Sequence, residues 1–263
     1  MMRFYLEINT TKESAIELSY LVKEFICLNG ANVVNDVSNA DIIISLGGDG
    51  TMLRTWRKYR ALDKAIFGIN CGTLGYLTEG TINNWDEKIS NIIANNMIIK
   101  NRTTLVGDVY HNNNVVFSDV ALNDIVLSKC GGSVVRCDVE VNDKFLTSFN
   151  ADGIICSTSI GSTGYALSAG GAFLDPDSNA IEIVPIAPHT LLNRAIVLDG
   201  NSNITIKLSG RNVGSVSYDG YDYSENIQIE DYIKIYGGNQ KMKMVVVDEE
   251  SFIATVSKTF TKI

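Results

Sequence analysis

The chain has 263 residues, of which 45% are apolar and 20% charged, a composition typical of a globular protein with one large or two modest domains. Its net charge of −8 and pI of about 4.8 argue against electrostatic binding of nucleic acid or anionic membranes over a wide surface. No apolar stretch reaches the roughly 18 residues of a membrane span, and Glu7 interrupts any signal-peptide pattern at the start.

The cysteines are scattered, odd in number and without a CxxC pair: Cys27, Cys71, Cys130, Cys137 and Cys156. This usage is typical of free thiols in a reducing compartment and disfavours both disulfides and zinc. We therefore predict a cytoplasmic protein that holds no metal through its own side chains and binds neither nucleic acid nor membrane.

The first hundred residues alternate between predicted strands and helices. Apolar residues alternate over Phe4–Ile8 as in a strand and recur at helical spacing over 15–28. Thr10 and Glu13 form a capping-box pattern before that helix, and Asn29-Gly30 closes it. Further strands are predicted at 33–34, 42–46 and 65–69, with helices at 51–59 and 85–95. The alternation predicts a Rossmann-like α/β domain with a parallel sheet over residues 1–100.

The pattern changes near residue 101, where short β runs begin and turn clusters separate them. These runs lie at 105–110, 115–119, 134–141, 145–147, 204–208, 213–218, 227–229 and 232–236. They predict a β-rich, antiparallel second domain over residues 101–240. Two apolar segments lie within residues 241–263, and the pattern assigns this C-terminal segment to neither domain.

A glycine-rich turn with one carboxylate, Gly47-Gly48-Asp49-Gly50-Thr51, directly follows the apolar run 42–46. Glycines let a backbone approach a polyanion, and the N-terminus of the next helix favours an anion. An acid there opposes phosphate binding unless it holds a metal or takes a proton from an attacking hydroxyl. The turn thus indicates phosphoryl chemistry, with Arg54 placed to meet a phosphate. The alternative is that Asp49 merely caps the following helix.

A second candidate segment spans residues 150–171, where an apolar strand leads into a loop rich in small and hydroxyl residues. Such a loop offers N–H and O–H donors in a confined space, as sugars and phosphates need. A serine-hydrolase elbow, GxSxG, is excluded because Ile160 occupies the position of its first glycine. The alternative is a glycine-rich turn without a ligand.

The pair Asn123-Asp124 is a third candidate, because its donors and acceptors suit the edge of an adenine or a ribose diol. An Asn-Asp pair is also common in simple turns. No GxxxxGK[ST] motif occurs, and no GxGxxG follows an early strand, which disfavours P-loop NTPases and ordinary dinucleotide dehydrogenases. His189, beside a proline, is interpreted as structural rather than catalytic.

Together these segments resemble the NAD kinase family, through nearly the whole chain and in the family's order. The resemblance rests on five segments: the glycine motif at 46–51, the strand and loop at 70–77, residues 121–124 with the Asn-Asp pair, the glycine-rich segment at 152–171 and the loop at 188–191. The glycine motif alone is only moderately specific, since lipid kinases and phosphofructokinases carry similar strings. The long central segment is far more specific.

The resemblance implies that Asp49 is the general base on the 2′-hydroxyl of the NAD adenosine ribose, with ATP as the phosphoryl donor and Mg²⁺ accompanying ATP. It places Gly47, Gly48 and Thr51 at the ATP phosphates. It implies NAD-binding roles for Gly50, Arg54, Tyr76, Asn123, Asp124, Asn150, Asp152, Thr163, Gly164, Tyr165 and Ser168. The family is commonly oligomeric with sites completed across subunits, so a homo-oligomer, dimer or tetramer, is implied.

The sequence departs from the family pattern at several positions. Asp124 is one methylene shorter than the usual Glu, Gly164 replaces Ala, and Tyr76 replaces Phe. Asn150 and Tyr221 stand where a basic residue and a Gln are common, which leaves the nicotinamide-side contacts open.

Two other functions share parts of this pattern. A lipid kinase with the same turn needs an apolar tunnel or a membrane-facing patch, whereas the loops after Asp152 are small and polar. A non-catalytic module that senses NAD(H) or NADP(H) has no need of Asp49.

Overall fold

The computed structural model of the chain describes residues 1–72, 75–223, 225–248, 253–254 and 256–257. The chain divides into two compact units. The first consists of Met1–Asn101 together with Met242–Ile263, and the second of Arg102–Lys241.

Strands make up most of the secondary structure of the described chain. The strands are β1 Arg3–Ile8, β2 Asn32–Val33, β3 Ile42–Gly47, β4 Ala65–Asn70, β5 Gly80–Thr81, β6 Ile98–Arg102, β7 Leu105–His111, β8 Asn114–Ala121, β9 Asp124–Lys129, β10 Val135–Val141, β11 Lys144–Ala151, β12 Gly153–Thr158, β13 Ala180–Ile186, β14 Ile196–Asp199, β15 Ile204–Leu208, β16 Gly214–Tyr218, β17 Tyr221–Asp222, β18 Tyr232–Gly237 and β19 Met242–Val246. The helices are α1 Glu13–Leu28, α2 Asp49–Tyr59, α3 Trp85–Ile93 and α4 Tyr165–Ser168, with short 3₁₀ turns at Val37–Asn39, Arg60–Leu62 and Gly161–Thr163.

The first unit is built on a sheet of order β2-β1-β3-β4-β19-β6, with β5 also paired to β4. Strands β2, β1, β3 and β4 run parallel to one another, and β19 runs parallel to β4. Every residue of β3 and β4 is buried, as expected for parallel strands covered on both faces. This arrangement confirms the predicted Rossmann-like α/β fold.

The start of α1 differs from the prediction. The helix begins at Glu13 with Lys12 as its N-cap, and no side chain of the described residues caps it. The predicted capping box of Thr10 and Glu13 is therefore wrong. The preceding turn is instead closed by Asn9, whose Oδ1 accepts hydrogen bonds from the backbone N–H and the hydroxyl of Thr11. This local side-chain bond competes with a cap at residue 10.

The second unit contains two six-stranded antiparallel sheets around one apolar core. Their strand orders are β11-β10-β15-β18-β7-β8 and β14-β13-β12-β9-β16-β17. Strands of both sheets contribute to the core, including Val139 of β10 and Ile154 of β12, both fully buried. The predicted β-rich, antiparallel architecture is thereby confirmed. One predicted run, 227–229, is not a strand: within the described residues Ile227 makes only an isolated bridge to Gly214.

The outer face of the second of these sheets is covered by the loop that follows β12. Ala166 of α4 is buried against Val126, Ile155 and Val184, which point away from the main core. The packing of this small residue fixes the glycine-rich loop on rigid strands, which is how a loop is held in a defined shape for binding.

The C-terminal strand β19 belongs to the first unit, where Met244 pairs with Ile66 of β4. Within the described residues, none of the helices is both long and apolar enough to cross a bilayer.

Candidate functional site

The first unit has a topological switch point at the carboxyl edge of its parallel sheet. The strand order reverses between β1 and β3, because β2 lies beside β1 on one side and β4 lies beside β3 on the other. Ligands of open α/β sheets bind at such a switch point, outside the carboxyl ends of the strands. The loops that flank it are residues 9–12 after β1 and residues 47–50 after β3.

Asp49 is the first residue of α2, and Gly48 is the N-cap. The Asp49 carboxylate therefore does not cap its own helix, which excludes the alternative raised from the sequence. Its two oxygens accept hydrogen bonds from the backbone N–H groups of Tyr76, at 2.7 Å, and of Leu77, at 3.0 Å. Each oxygen keeps a further lone pair, so the carboxylate is fixed in orientation and remains able to accept a proton.

Gly75 makes this orientation possible. A Cβ at residue 75 would lie 2.1 Å from Asp49 Oδ1, closer than any real contact. Only glycine lets the backbone at 75–77 approach the carboxylate. The residues just before it, Thr73 and Leu74, were part of the sequence motif and lie outside the described residues.

Thr51 links the loop after β1 to the loop after β3. Its buried hydroxyl oxygen lies 3.2 Å from Asn9 Nδ2, 3.4 Å from the Gly48 N–H nitrogen and 3.3 Å from an Arg54 nitrogen. Gly50 is exposed at the helix start with open space beside it. The structure thus brings the predicted residues 47–51, Arg54 and the Tyr76 backbone together at one helix N-terminus.

Lys12 is a member of this site that the sequence reasoning missed. Its ammonium nitrogen lies 3.1 Å from the point that a Cβ would occupy at Gly72 and 3.9 Å from the equivalent point at Gly48. Burial raises the pKa of Cys71, and the charge of Lys12 partly opposes that rise. Within the described residues, neither Lys12 nor Arg54 forms an ion pair with a carboxylate. The available signal was the position of Lys12 at the end of the loop after β1.

The second unit places Asn123 and Asp124 at the start of β9, beside the end of β12. The Asn123 carbonyl accepts the Thr158 N–H at 2.9 Å, and the Leu122 carbonyl accepts the Thr158 hydroxyl at 2.7 Å. The amide oxygen of Asn123 is buried and lacks a hydrogen-bond partner within the described chain. An acceptor left in this state is suited to a ligand donor.

The loop after β12 approaches the same point. A Cβ at Gly161 would lie 2.1 Å from the Asn123 carbonyl oxygen, so this contact requires glycine. A Cβ at Gly164 would lie 3.6 Å from Asn123 Nδ2. Thr163 ends the 3₁₀ turn, and α4 carries the exposed side chains of Tyr165 and Ser168. The predicted residues on this loop therefore share one face of the second unit with Asn123, namely Thr163, Gly164, Tyr165 and Ser168.

Asp124 is almost fully buried, and its carboxyl group makes no hydrogen bond within the described residues. Burial raises the pKa of this carboxyl group to about 7, and the negative charge of Asp219 adds to the rise. A desolvated, unpaired carboxyl group at a loop edge is typical of a functional position.

Asn150 and Asp152 lie elsewhere. They precede β12, whereas Asn123 lies beside its last residues, about 16 Å away along the six-residue strand. Asp152 pairs with Lys129 at 2.7 Å, and the Asn150 carbonyl accepts the His189 N–H at 2.7 Å. Within the unit, the structure therefore does not bring these two predicted residues to Asn123.

Glu182 is a buried carboxyl group next to the glycine-rich loop, and sequence reasoning did not select it. Its Oε2 accepts the Ala172 N–H at 2.9 Å, whereas Oε1 is buried without a partner in the described chain. Burial raises the pKa of Glu182 to about 7, and the Ala172 hydrogen bond opposes the rise.

Comparison with known proteins identifies the family. The ATP-NAD kinase N-terminal domain model matches residues 33–97, and the ATP-NAD kinase C-terminal domain model matches residues 122–247. An NAD kinase of Fusobacterium nucleatum is 36% identical over 265 residues, covering 96% of this chain and 94% of that protein. The chain belongs to the ATP-NAD kinase family. It is thus an enzyme of the phosphotransferase class, as the motifs predicted, and neither a lipid kinase nor a sensing module is favoured.

Other relatives agree with this assignment. An NAD kinase of Lachnospira eligens is 37% identical over 69% of this chain, and the match spans 64% of that relative. The crystal structure of yeast NADH kinase complexed with NADH has a TM-score of 0.84 at 23% identity, covering all of this chain and 89% of that one. An NAD kinase from Archaeoglobus fulgidus in complex with ATP has a TM-score of 0.79 at 24% identity, with both chains fully covered. These two structures support the fold.

Proposed function

We propose that this kinase transfers the γ-phosphoryl group of ATP to the 2′-hydroxyl of the adenosine ribose of NAD, forming NADP and ADP, with Asp49 as the general base. The observation that carries the proposal is the Asp49 carboxylate, fixed by two N–H groups at a helix N-terminus on the ligand edge of the sheet. A glycine turn without an acid could only bind phosphates, whereas this turn also carries a carboxylate that can accept a proton.

The donor phosphates are assigned to the first unit. The N-terminus of α2 after Gly48 presents backbone N–H groups to an anion, and Gly47 ends the preceding strand. Lys12 adds positive charge near that helix start. Gly50 and Arg54, at the same helix start, are kept as residues of the NAD site, as the family resemblance implies. The buried Thr51 hydroxyl acts by holding Asn9 and Gly48 in place.

Magnesium is proposed to enter with ATP, as part of the substrate. Mg²⁺ usually binds through one or two carboxylates together with substrate phosphates. Among the described residues no group of three or more His, Cys, Asp or Glu side chains could hold an ion. Asp49 is the carboxylate at the helix start that could approach such a complex.

The acceptor is assigned chiefly to the second unit. The unpartnered amide oxygen of Asn123 suits an N–H donor such as an adenine amino group, and the Asp124 carboxylate suits the hydroxyls of a ribose. Thr163, Gly164, Tyr165 and Ser168 form the face beside them. The NADH complex of the yeast relative supports a dinucleotide acceptor. Tyr76, whose backbone N–H binds the Asp49 carboxylate, is proposed as a further NAD-binding residue.

The chemistry follows from these assignments. The ribose oxygen attacks the γ-phosphorus as the bond to the β–γ bridging oxygen breaks, ADP leaves, and the hydroxyl proton passes to Asp49. Cations and N–H groups stabilise the negative charge on the transferring phosphoryl group. Binding holds ATP and the ribose hydroxyl in a reactive geometry, which lowers the entropic cost of bringing them together. Proton removal by a positioned base contributes on the order of 10²–10⁴-fold.

Asn150 and Asp152 are proposed to serve the NAD site of a second copy in a homo-oligomer. Their distance along β12 from Asn123 supports this, since one unit does not bring them to its own Asn123. We further propose a cytoplasmic location, where ATP and NAD are both available and thiols stay reduced; the five cysteines, all among the described residues, form no disulfide.

The test is direct. Purified protein is incubated with ATP, Mg²⁺ and NAD, and NADP is measured with an NADP-specific enzyme. Parallel reactions replace NAD by NADH, by a diacylglycerol or by a sphingoid base, and ATP by polyphosphate. NADP formation is expected, whereas phosphorylation of a lipid alone, or dinucleotide binding without turnover, would replace the proposal by one of the other two functions.

A further inference from the structure

We propose that Asp219 is a positioning residue of the NAD site, whose carboxylate holds the backbone of residues 122–124 so that the side chains of Asn123 and Asp124 face the dinucleotide. The inference rests on the proposed function and deepens it.

Asp219 and Gly220 form the two-residue loop between β16 and β17, closed by the pairing of Tyr218 with Tyr221. Both loop residues have positive φ, +51° and +78°, as a type I′ hairpin turn requires. The Asp-Gly sequence is favoured there. A tight hairpin gives the Asp219 side chain a defined direction, because the flanking strand β16 is itself paired to β9.

The Asp219 carboxylate accepts three consecutive backbone N–H groups. One oxygen lies 2.8 Å from the Leu122 nitrogen, and the other lies 2.6 Å from that of Asn123 and 3.2 Å from that of Asp124. Successive N–H groups converging on one anion form a nest. The Asp219 N–H returns a bond of 3.0 Å to the Asp124 carbonyl. Charged acceptors make such bonds roughly twice as strong as neutral ones.

The carbonyl groups of the same segment are also engaged. Thr158 binds the Leu122 carbonyl through its hydroxyl and the Asn123 carbonyl through its N–H, and the Ser157 hydroxyl reaches the Asn123 carbonyl at 3.2 Å. All the backbone polar groups of residues 122–124 thus have partners. The Asn123 amide oxygen, by contrast, is buried without one in the described chain. The backbone of this segment is therefore held in place by hydrogen bonds, whereas the amide oxygen of Asn123 can still accept a hydrogen bond from a ligand.

The same carboxylate acts on Asp124 electrostatically. Among the described residues, Asp219 is the charged group that affects Asp124, and the paired strand β12 presents the uncharged Ser157 opposite it. Removal of the Asp219 charge therefore changes the titration of Asp124 as well as the backbone geometry. Substitution of a turn residue with a purely structural role, by contrast, should change neither the affinity for NAD nor the pH dependence of that affinity.

The test compares Asp219→Asn with Asp199→Asn in the full chain. Asp199 also accepts an N–H bond in a turn, from Asn201 at 2.8 Å, and is exposed in the same unit. Thermal melting first establishes that both variants fold. For Asp219→Asn we expect KM for NAD to rise about tenfold or more, with a smaller change in kcat and in KM for ATP. Asp199→Asn is expected to match the wild type in both constants.

The pH dependence of kcat/KM for NAD gives the second readout, because it reports groups of the free enzyme. In the wild type, kcat/KM is expected to rise through about pH 7 as Asp124 ionises. Asp219→Asn is expected to move this rise to lower pH. Asp124→Asn, which leaves the nest intact, is expected to abolish it.

The outcomes distinguish failure of the proposed function from failure of the positioning role. If the wild type forms no NADP, the proposed function fails. If the wild type is active and Asp219→Asn behaves like Asp199→Asn, in KM and in pH profile, the positioning role is rejected. If Asp219→Asn does not fold, the positioning role is rejected when Asp124→Asn keeps the wild-type pH dependence of kcat/KM for NAD.

Discussion

The carboxylate of Asp49 binds the backbone N–H of Tyr76 at 2.7 Å, across 27 positions of the sequence. This bond ties the loop after β3 to the segment that follows β4, two neighbouring parallel strands. It also sets the direction in which the remaining lone pairs of the carboxylate point. The proposed base is therefore held by the fold rather than by its own helix.

The first prediction concerns Asp49→Asn. The amide keeps the size of the carboxylate and one acceptor oxygen, but it is a far weaker proton acceptor. We expect kcat for NADP formation to fall by about 10²–10⁴-fold, while NAD still binds in a calorimetric titration. Asp36→Asn is the matched control, because Asp36 also accepts a backbone N–H in the first unit, from Ser38 at 2.9 Å. Turnover near that of the wild type would remove Asp49 from its role.

The second prediction concerns Gly75→Ala. The added methyl group would lie 2.1 Å from Asp49 Oδ1, so either the carboxylate or the backbone at 75–77 must move. Misplacement of a catalytic group by about 1 Å costs on the order of 10²-fold in rate, and we expect a loss of that size in kcat. Gly132→Ala, at a glycine where no atom of the described chain lies within 4 Å of the new Cβ, provides the comparison. Equal activity of the two variants contradicts the close approach.

The third prediction concerns Lys12→Met, which keeps much of the side-chain length and removes the charge. If Lys12 binds the donor phosphates, KM for ATP rises about tenfold and KM for NAD changes little. The salt dependence of KM for ATP also becomes shallower, since one half-buried cation no longer contributes. Lys23→Met, on the exposed face of α1, serves as the control. A rise in KM for NAD alone, or in neither constant, is the outcome that contradicts this role.

Local sequence order explains which parts of the site could be predicted. Residues 47–51 form a strand end, a glycine turn and a helix start within a few positions, so their juxtaposition follows from the chain itself. The same holds for the loop after β12. Both the parallel sheet and the β-rich unit follow from the spacing of apolar residues.

Other parts depend on tertiary contacts that no local pattern reveals. Lys12 reaches Gly72 across 60 positions, and Asp219 reaches Asn123 across 96. Strand β19 completes the first sheet only after the second unit has been traversed. Asn150 and Asn123 are separated because β12 runs antiparallel to β9, which the sequence pattern does not specify.

The last prediction concerns the stability contributed by Glu182. Its folded-state pKa of about 7 lies above the value of about 4.3 for an exposed glutamate, so the folded state binds the proton more tightly than the unfolded state. The resulting stabilisation is fully present below pH 4 and is lost as pH rises through 7. Glu182→Gln removes this titration while its amide oxygen still accepts the Ala172 N–H. We therefore expect the variant to exceed the wild type in free energy of unfolding at pH 8 by about 1–3 kcal/mol, and by much less at pH 5.

Urea unfolding at pH 5 and pH 8 measures this difference directly. The comparison is Glu140→Gln, at an exposed position on β10, which should give the same small change at both pH values. The sign is the decisive feature, because loss of a buried hydrogen bond alone would make Glu182→Gln less stable than the wild type at both pH values. A variant destabilised equally at pH 5 and pH 8 would show that the Glu182 carboxyl group is not held protonated by its surroundings.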